Sequence, residues 1–536
     1  MTLELEKIPA TPHVVPVLSP LLAGVDYLNL RQVNLDLMGE CIPGTNNATR
    51  LVRGYSVIAW VYWIYPKVLD RLGRDQANSE ELIHFREKVE SLFVWGHQLE
   101  NLVGLPGVSA KVPEPNNGKT DLRFKAWKRS RSNTSFEAAV QYGPSLSDLG
   151  GLGLIHKVSA GVYVCTPVGE RLGEALDRQL RGSSAYEFLT EINNLNGTPE
   201  LAKQLLPFWH IHEISPLEAE VFRSALWTPA HQSESNNRGR RACMIELLLD
   251  CLRNAGKPLE EFEIRKRLAL PGLWRESPLP EGQLKQSRSW LALQFRQLQR
   301  LAFEGLMSWV EVQLTSFGHM FPDKMVEQAW EDFSEKFELM SPTTTRQVLQ
   351  KVGNPVSDLE TFEQLIKSAP ESISPWDLAE NLREAIRRRP HEVHVLAFHV
   401  LIVLFQNRSL MESDPLLKRH IELGGSARIS FAHWFGLMER FIDHPFRQVI
   451  DWSLKNLIIS QHLAVATQRY DGEKVRLRMV LEEDGLEPLI AKNGVWKPAL
   501  TPDRLTALLS LLQSCETIKT DEDGCFSIAE ENKIDR

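Results

Sequence analysis

The chain has 536 residues, of which 43% are hydrophobic and 24% charged, a balance that builds packed domains and excludes extensive disorder. One hydrophobic core does not serve that length, so two to four domains are expected. A formal net charge of −8 excludes a protein that coats nucleic acid over its whole surface, and confines any such contact to a local patch.

The start, Met1-Thr-Leu-Glu-Leu-Glu-Lys, lacks the basic-then-apolar layout of a signal peptide. Cys41, Cys165, Cys243, Cys251, Cys515 and Cys525 form no CxxC pair, which fits a reducing, cytoplasmic setting. Residues 1–25 carry several prolines and are expected to be extended. Residues 29–38 read as a short helix and 43–47 as a turn. From Arg50 to Tyr65 apolar residues run nearly all round, predicting a buried helix, and 80–102 follows as an amphipathic one. Arg50 and Arg53 suit local caps or ion pairs, with an anion site as the alternative. Together these elements make an N-terminal helical domain, 1–112.

Residues 113–118 are a Pro/Asn/Gly linker. After it, Lys119, Arg123, Lys125, Lys128, Arg129 and Arg131 stand against Asp121 alone, with Phe124 and Trp127 among them. Cations that pair with phosphates and rings that stack on bases are what a nucleic-acid contact needs. A solvated charged face is the other reading. Residues 154–158 and 162–165 are two short apolar strands around Ser159-Ala160-Gly161, a hairpin turn. Thr166 then caps a helix that Pro167 begins, with Val168, Leu172, Leu176 and Leu180 on one face.

Over about residues 133–180, hairpin and closing helix resemble the winged-helix superfamily. The resemblance implies duplex-DNA binding, with a recognition helix in the major groove and the wing on the backbone. By position the wing is 156–162, which makes Lys157 its phosphate contact. The recognition helix would occupy 135–149, yet Gly143-Pro144 breaks that stretch and it holds no Lys or Arg. The expected DNA contact therefore moves to the Lys119–Arg131 arm, within a winged-helix-like domain spanning 119–181. Contact with protein is the alternative use of such a unit.

Residues 182–197 form a polar connector. A helical domain, 200–340, follows, with Ile245, Leu248, Leu249 and Leu252 on one face and Leu291, Phe295, Leu298 and Ala302 on another. Between them, 257–268 reads as turn then helix, a second helix-turn-helix candidate. Arg238, Arg240, Arg241, Arg265, Lys266 and Arg267 suit solvated helix faces and ends. Polar, Pro-containing 341–375 marks a boundary, and 376–470 is helical again, with Arg387-Arg-Arg-Pro suiting a helix C-terminus. In 471–536, Thr501-Pro502 is expected to start a helix carrying Leu505, Leu508, Leu509 and Leu512. Residues 517–519 and 525–528 then flank the acidic turn 521–524, a second winged-helix-like copy better suited to protein than to phosphate. The predicted class is mainly α and multidomain, with small winged-helix β-hairpins.

Catalytic signatures are missing from the sequence. His391, His394 and His399 do not match HExxH, and His210 with His212 and Glu213 lacks a third ligand. There is no GxxxxGK[ST], Gly150-Gly151-Leu-Gly153 lacks the GxGxxG spacing, and Gly424-Gly-Ser-Ala lacks the nucleophile elbow. No cofactor or metal is expected. The apolar runs 55–65 and 395–405 fall short of the about 20 residues a bilayer span needs, so no membrane partner is expected. The function this suggests is a non-enzymatic, DNA-associated subunit of an intracellular multiprotein assembly, of the prokaryotic regulatory or genome-defence kind, with DNA and other protein subunits as partners. One alternative is a protein-interaction scaffold, favoured by 14 tryptophans that suit interface anchors. A metal-dependent nuclease is the other, drawing on Glu473-Lys474 and Glu482-Glu483-Asp484 around a strand at 475–481.

Overall fold

An apolar circumference forces a helix into the interior, and the run expected to behave so does: helix Val52–Arg71 is buried on almost every side. In a computed structural model of the chain, the described residues are 26–74, 78–102, 104–147, 150–159, 162–353, 355–368, 374–470 and 476–529. The fold is mainly helical, 60% helix against 7% strand, and the sheets among the described residues are two-stranded. The expected extended segment 1–25, the turn residues Ala160 and Gly161, and Glu473-Lys474 lie outside the described residues. Contacts gather the chain into two compact units, 36–291 with 502–529 and 26–35 with 292–501. Their borders fall inside helices Arg31–Cys41 and Glu281–Phe317. The polar stretch 113–118 is a loop within one unit, whereas 182–197 carries helix Tyr186–Thr190 and strand Asn196–Gly197.

In the unit built on 36–291, helix Val52–Arg71 packs on helix Pro167–Leu180, which Thr166 caps through the Gly169 N–H at 3.2 Å. Close approach rests on two glycines. A Cβ on Gly173 would stand 2.8 Å from Trp63 Cβ, and one on Gly169 would stand 1.9 Å from the Leu154 carbonyl oxygen. The second contact seats hairpin Ile155–Ser159/Val162–Cys165 on the helix start. Buried Asp177 ties the packing, accepting from Trp60 Nε1 at 3.0 Å and the Tyr186 hydroxyl at 2.6 Å. Within 135–149 only Gly143–Leu146 is helical among the described residues, as the Gly-Pro pair predicts. Arg53 is fully buried, its Nη1 donating to both carboxylate oxygens of Glu218 at 3.0 and 2.9 Å. The C-terminal helix begins at Leu505, later than Thr501-Pro502 suggested. Arg504 adopts a left-handed φ of 70°, and Asp503, held by Arg265 at 2.6 Å, takes the Leu505 N–H. Strands Ile518–Thr520 and Phe526–Ile528 pair behind it.

In the other unit, 341–375 is not a plain linker. Helix Thr345–Val352 forms there behind a Thr344/Gln347 capping box, and helix Leu359–Ser368 buries Phe362 and Ile366. The helical stretch Val393–Ser413 is longer than the 395–405 run alone. It is long and apolar enough to cross a membrane by length and composition, and 78% of its apolar window is packed inside the unit. Strand Met479–Glu482 pairs with Gly485–Pro488, and Arg478, ahead of it, is buried against Glu311.

Candidate nucleic-acid interface

The arm opens on a tight turn. Asn116 and Lys119 exchange backbone hydrogen bonds at 2.7 and 3.0 Å around Asn117 and Gly118, whose φ values of 50° and 75° are those Asn-Gly hairpin turns adopt. Thr120–Asp121 then pairs with Asn196–Gly197. Asp121 folds the chain back on itself. Its carboxylate accepts from the Arg123 N–H at 2.9 Å and pairs with the Arg123 guanidinium at 2.8 Å, while its carbonyl accepts from Trp127 Nε1 at 2.8 Å. Burial opposes its ionisation, but the Arg123 hydrogen bonds hold the carboxyl below its usual range. The turn ends like a helix: the Arg129 N–H reaches the Phe124 carbonyl at 2.9 Å and the Lys128 N–H the Lys125 carbonyl at 3.3 Å, with Lys128 left-handed at φ 51°. The Arg129 guanidinium covers the Phe124 ring at 4.0 Å.

Helix Ser79–Leu99 anchors this turn through two carboxylates. Glu87 accepts from the Phe124 N–H at 3.2 Å and from Arg131 Nε at 2.6 Å. Glu90 accepts from Arg129 at 3.3 Å, the Ser135 hydroxyl at 2.8 Å and the Phe136 N–H at 3.0 Å. Trp127 is 1% exposed and lies edge-on to Trp95, ring centroids 5.6 Å apart. Carboxylates offset the cost of bringing cations against a buried helix face, and Glu87 and Glu90 do so here. Desolvation lowers the Arg129 pKa against the pull of those carboxylates.

The sequence-predicted site therefore divides. Phe124, Trp127 and Arg129 are interior, so the expected stacking of their rings on bases is corrected: no base or phosphate reaches them in this fold. Arg123 and Arg131 are exposed but already paired, with Asp121 and Glu87. Lys119, Lys125 and Lys128 are exposed and form no ion pair among the described residues. Lys157, on the hairpin and opposite Tyr163, is likewise exposed and has no carboxylate partner among them. Sequence reasoning missed Glu87 and Glu90 as the anchors. Their signal was acidic residues at spacing three, on helix positions with apolar neighbours at Phe85, Val89 and Phe93.

The other candidates also take structural places. His210 lies 3.7 Å from Glu100 and 3.9 Å from Glu213, and stacks beside His97, whose two ring nitrogens are bonded to the Phe93 carbonyl and the Ile211 N–H. Among the described residues no group of three or more His, Cys, Asp or Glu is placed to hold a metal ion. Glu483 and Asp484 form the exposed tip of a hairpin. All fourteen tryptophans are buried or half-buried. No protein-family model, curated protein or solved structure matches the chain.

Proposed function

We propose that the chain is a non-enzymatic, DNA-associated subunit of a larger assembly, and that it touches duplex DNA through backbone phosphates. One observation carries this reading: Lys119, Lys125 and Lys128 are exposed and without carboxylate partners among the described residues, on a loop whose Phe124, Arg129 and Arg131 are tied to helix Ser79–Leu99 and whose Arg123 is paired with Asp121. A pinned backbone lowers the ordering entropy such a loop loses on binding. Lysine is a point charge that suits phosphate contact without base readout. Lys157 adds a fourth cation from the hairpin, in the winged-helix-like unit we assign to 133–180. With Phe124 and Trp127 withdrawn, the arm has no ring to stack on single-stranded bases, which favours duplex.

The test is anisotropy titration of a labelled duplex at low salt with the triple variant Lys119→Glu, Lys125→Glu, Lys128→Glu. Binding is expected to weaken by at least about tenfold, with the thermal midpoint unchanged. Wild-type affinity in the folded triple variant overturns the reading.

A further inference from the structure

Away from the arm, the unit built on 36–291 holds a cavity of about 530 Å³ between the loop Gly150–Gly153 and the start of helix Asn237–Arg253. Its polar lining includes Glu234, Arg238 and Arg240. Arg238 is exposed and forms no hydrogen bond or ion pair among the described residues. Arg240 is half-buried: its guanidinium donates to Asn237 Oδ1 at 2.5 Å, while its Nε is enclosed without a partner. Behind the loop, Arg241 is fully buried and, among the described residues, bonds only to carbonyls, those of Pro43, Gly151, Ala225 and Leu226. Three guanidinium groups thus crowd one place in an acidic chain, with Glu234 as the single carboxylate in the cavity lining among the described residues. Glu234 is itself engaged, accepting from Asn236 Nδ2 at 2.8 Å.

On the opposite wall, Gly150 and Gly153 adopt φ values of 90° and 70°, and the N–H groups of Gly150 and Gly151 form no hydrogen bond with the described residues. Gly150 lies so close to Asn237 that a Cβ would stand 3.1 Å from Nδ2. The helix start is already capped by Asn236, whose Oδ1 takes the Gly239 N–H at 3.0 Å, so any anion held here rests on the arginines and not on the helix end. A partly enclosed positive cluster short of carboxylates is stabilised by an anion that shares the site. Arginine forks match phosphate oxygens, and the volume suits a nucleotide-sized molecule.

We propose that this cavity binds a small phosphorylated molecule of nucleotide size, its phosphate held by Arg238 and Arg240. Isothermal titration of the full chain with inorganic phosphate and with ADP tests it, run on wild type and on Arg238→Ala/Arg240→Ala. Both probes are expected to bind wild type, ADP with a Kd of about 1 mM or tighter. The double variant, unchanged in thermal midpoint without ligand, is expected to lose at least about tenfold of that affinity. If the double variant does not fold, Arg238→Ala alone decides, because that side chain is exposed and unpartnered among the described residues. Absence of heat with both probes overturns the proposal, as does wild-type affinity in a folded variant. A duplex oligonucleotide that binds through these arginines while phosphate and ADP do not overturns it too, since the site would then be a second backbone contact.

Discussion

Replacing Trp127 by alanine separates a core residue from a base-stacking one. The indole is fully enclosed, lies edge-on to Trp95 at 5.6 Å, and donates to the Asp121 carbonyl at 2.8 Å. Truncation removes the ring, leaves a cavity against Trp95, and strips the carbonyl of its donor. The expected loss is about 3–5 kcal/mol in the unit built on 36–291. One residue further on, Lys128→Glu removes an exposed side chain without an ion-pair partner among the described residues, and its effect on stability should stay within about 0.5 kcal/mol. Urea unfolding followed by circular dichroism, beside duplex binding by anisotropy, separates the two. Trp127→Ala is expected to lower the unfolding midpoint, and Lys128→Glu to weaken DNA binding at an unchanged midpoint. A Trp127→Ala protein with wild-type stability and lost binding would refute the burial argument and return the ring to the surface.

Acid should strike both units through neutral buried histidines. Burial pushes His97 and His462 down to about 4, and each accepts a backbone N–H on Nε2, from Ile211 at 2.9 Å and from Arg478 at 3.1 Å. The unfolded imidazole protonates first, near its ordinary pKa of about 6.5, so the stability these rings confer is complete above that pH. It is lost as pH falls from there toward 4, by up to about 3 kcal/mol for each ring. Urea midpoints at neutral and mildly acidic pH read this slope, which should flatten in His97→Gln and His462→Gln; an equal slope in both variants contradicts it. Arg53→Met strands the buried Glu218 carboxylate and should cost about 3–5 kcal/mol. Arg53→Met with Glu218→Leu should recover much of that loss, and a double variant no more stable than the single one would show that the pair is not the cause. Gly169→Ala drives a methyl into the Leu154 carbonyl and should cost about 1–3 kcal/mol, read as a lower thermal midpoint; an unchanged midpoint means the hairpin is not seated on that helix as described.

Local elements were legible because their signals are short-range. The buried helix at Val52–Arg71, the Thr166-Pro167 start and the hairpin before it follow from periodicity, capping and turn chemistry within a few residues. The helices inside 341–375 were obscured because prolines and polar residues also occupy caps and first turns, as Thr344 and Gln347 do. Asp503 displaced the start of the last helix through a partner, Arg265, 238 residues away in sequence. The arm shows the same limit at the site. Its charge pattern was plain, but which of its groups are tied down depended on Glu87 and Glu90, carboxylates on a helix 37 to 44 positions earlier. Spacing alone cannot tell an aromatic that stacks on a ligand from one that packs on Trp95. The pairing partners decide that, and those partners are distant in sequence.

The central claim, that unpaired outward lysines meet DNA phosphates, is tested most directly by the salt dependence of duplex binding. Each phosphate contact contributes about 0.9 to the slope of log affinity against log salt. Reversing Lys119, Lys125 and Lys128 one at a time should therefore lower the slope by about 0.9 at each step. Reversal of Glu422, an exposed acidic residue in the other unit, should leave the slope as it is. A slope that stays constant through all three lysine reversals would contradict the account and remove DNA from this surface.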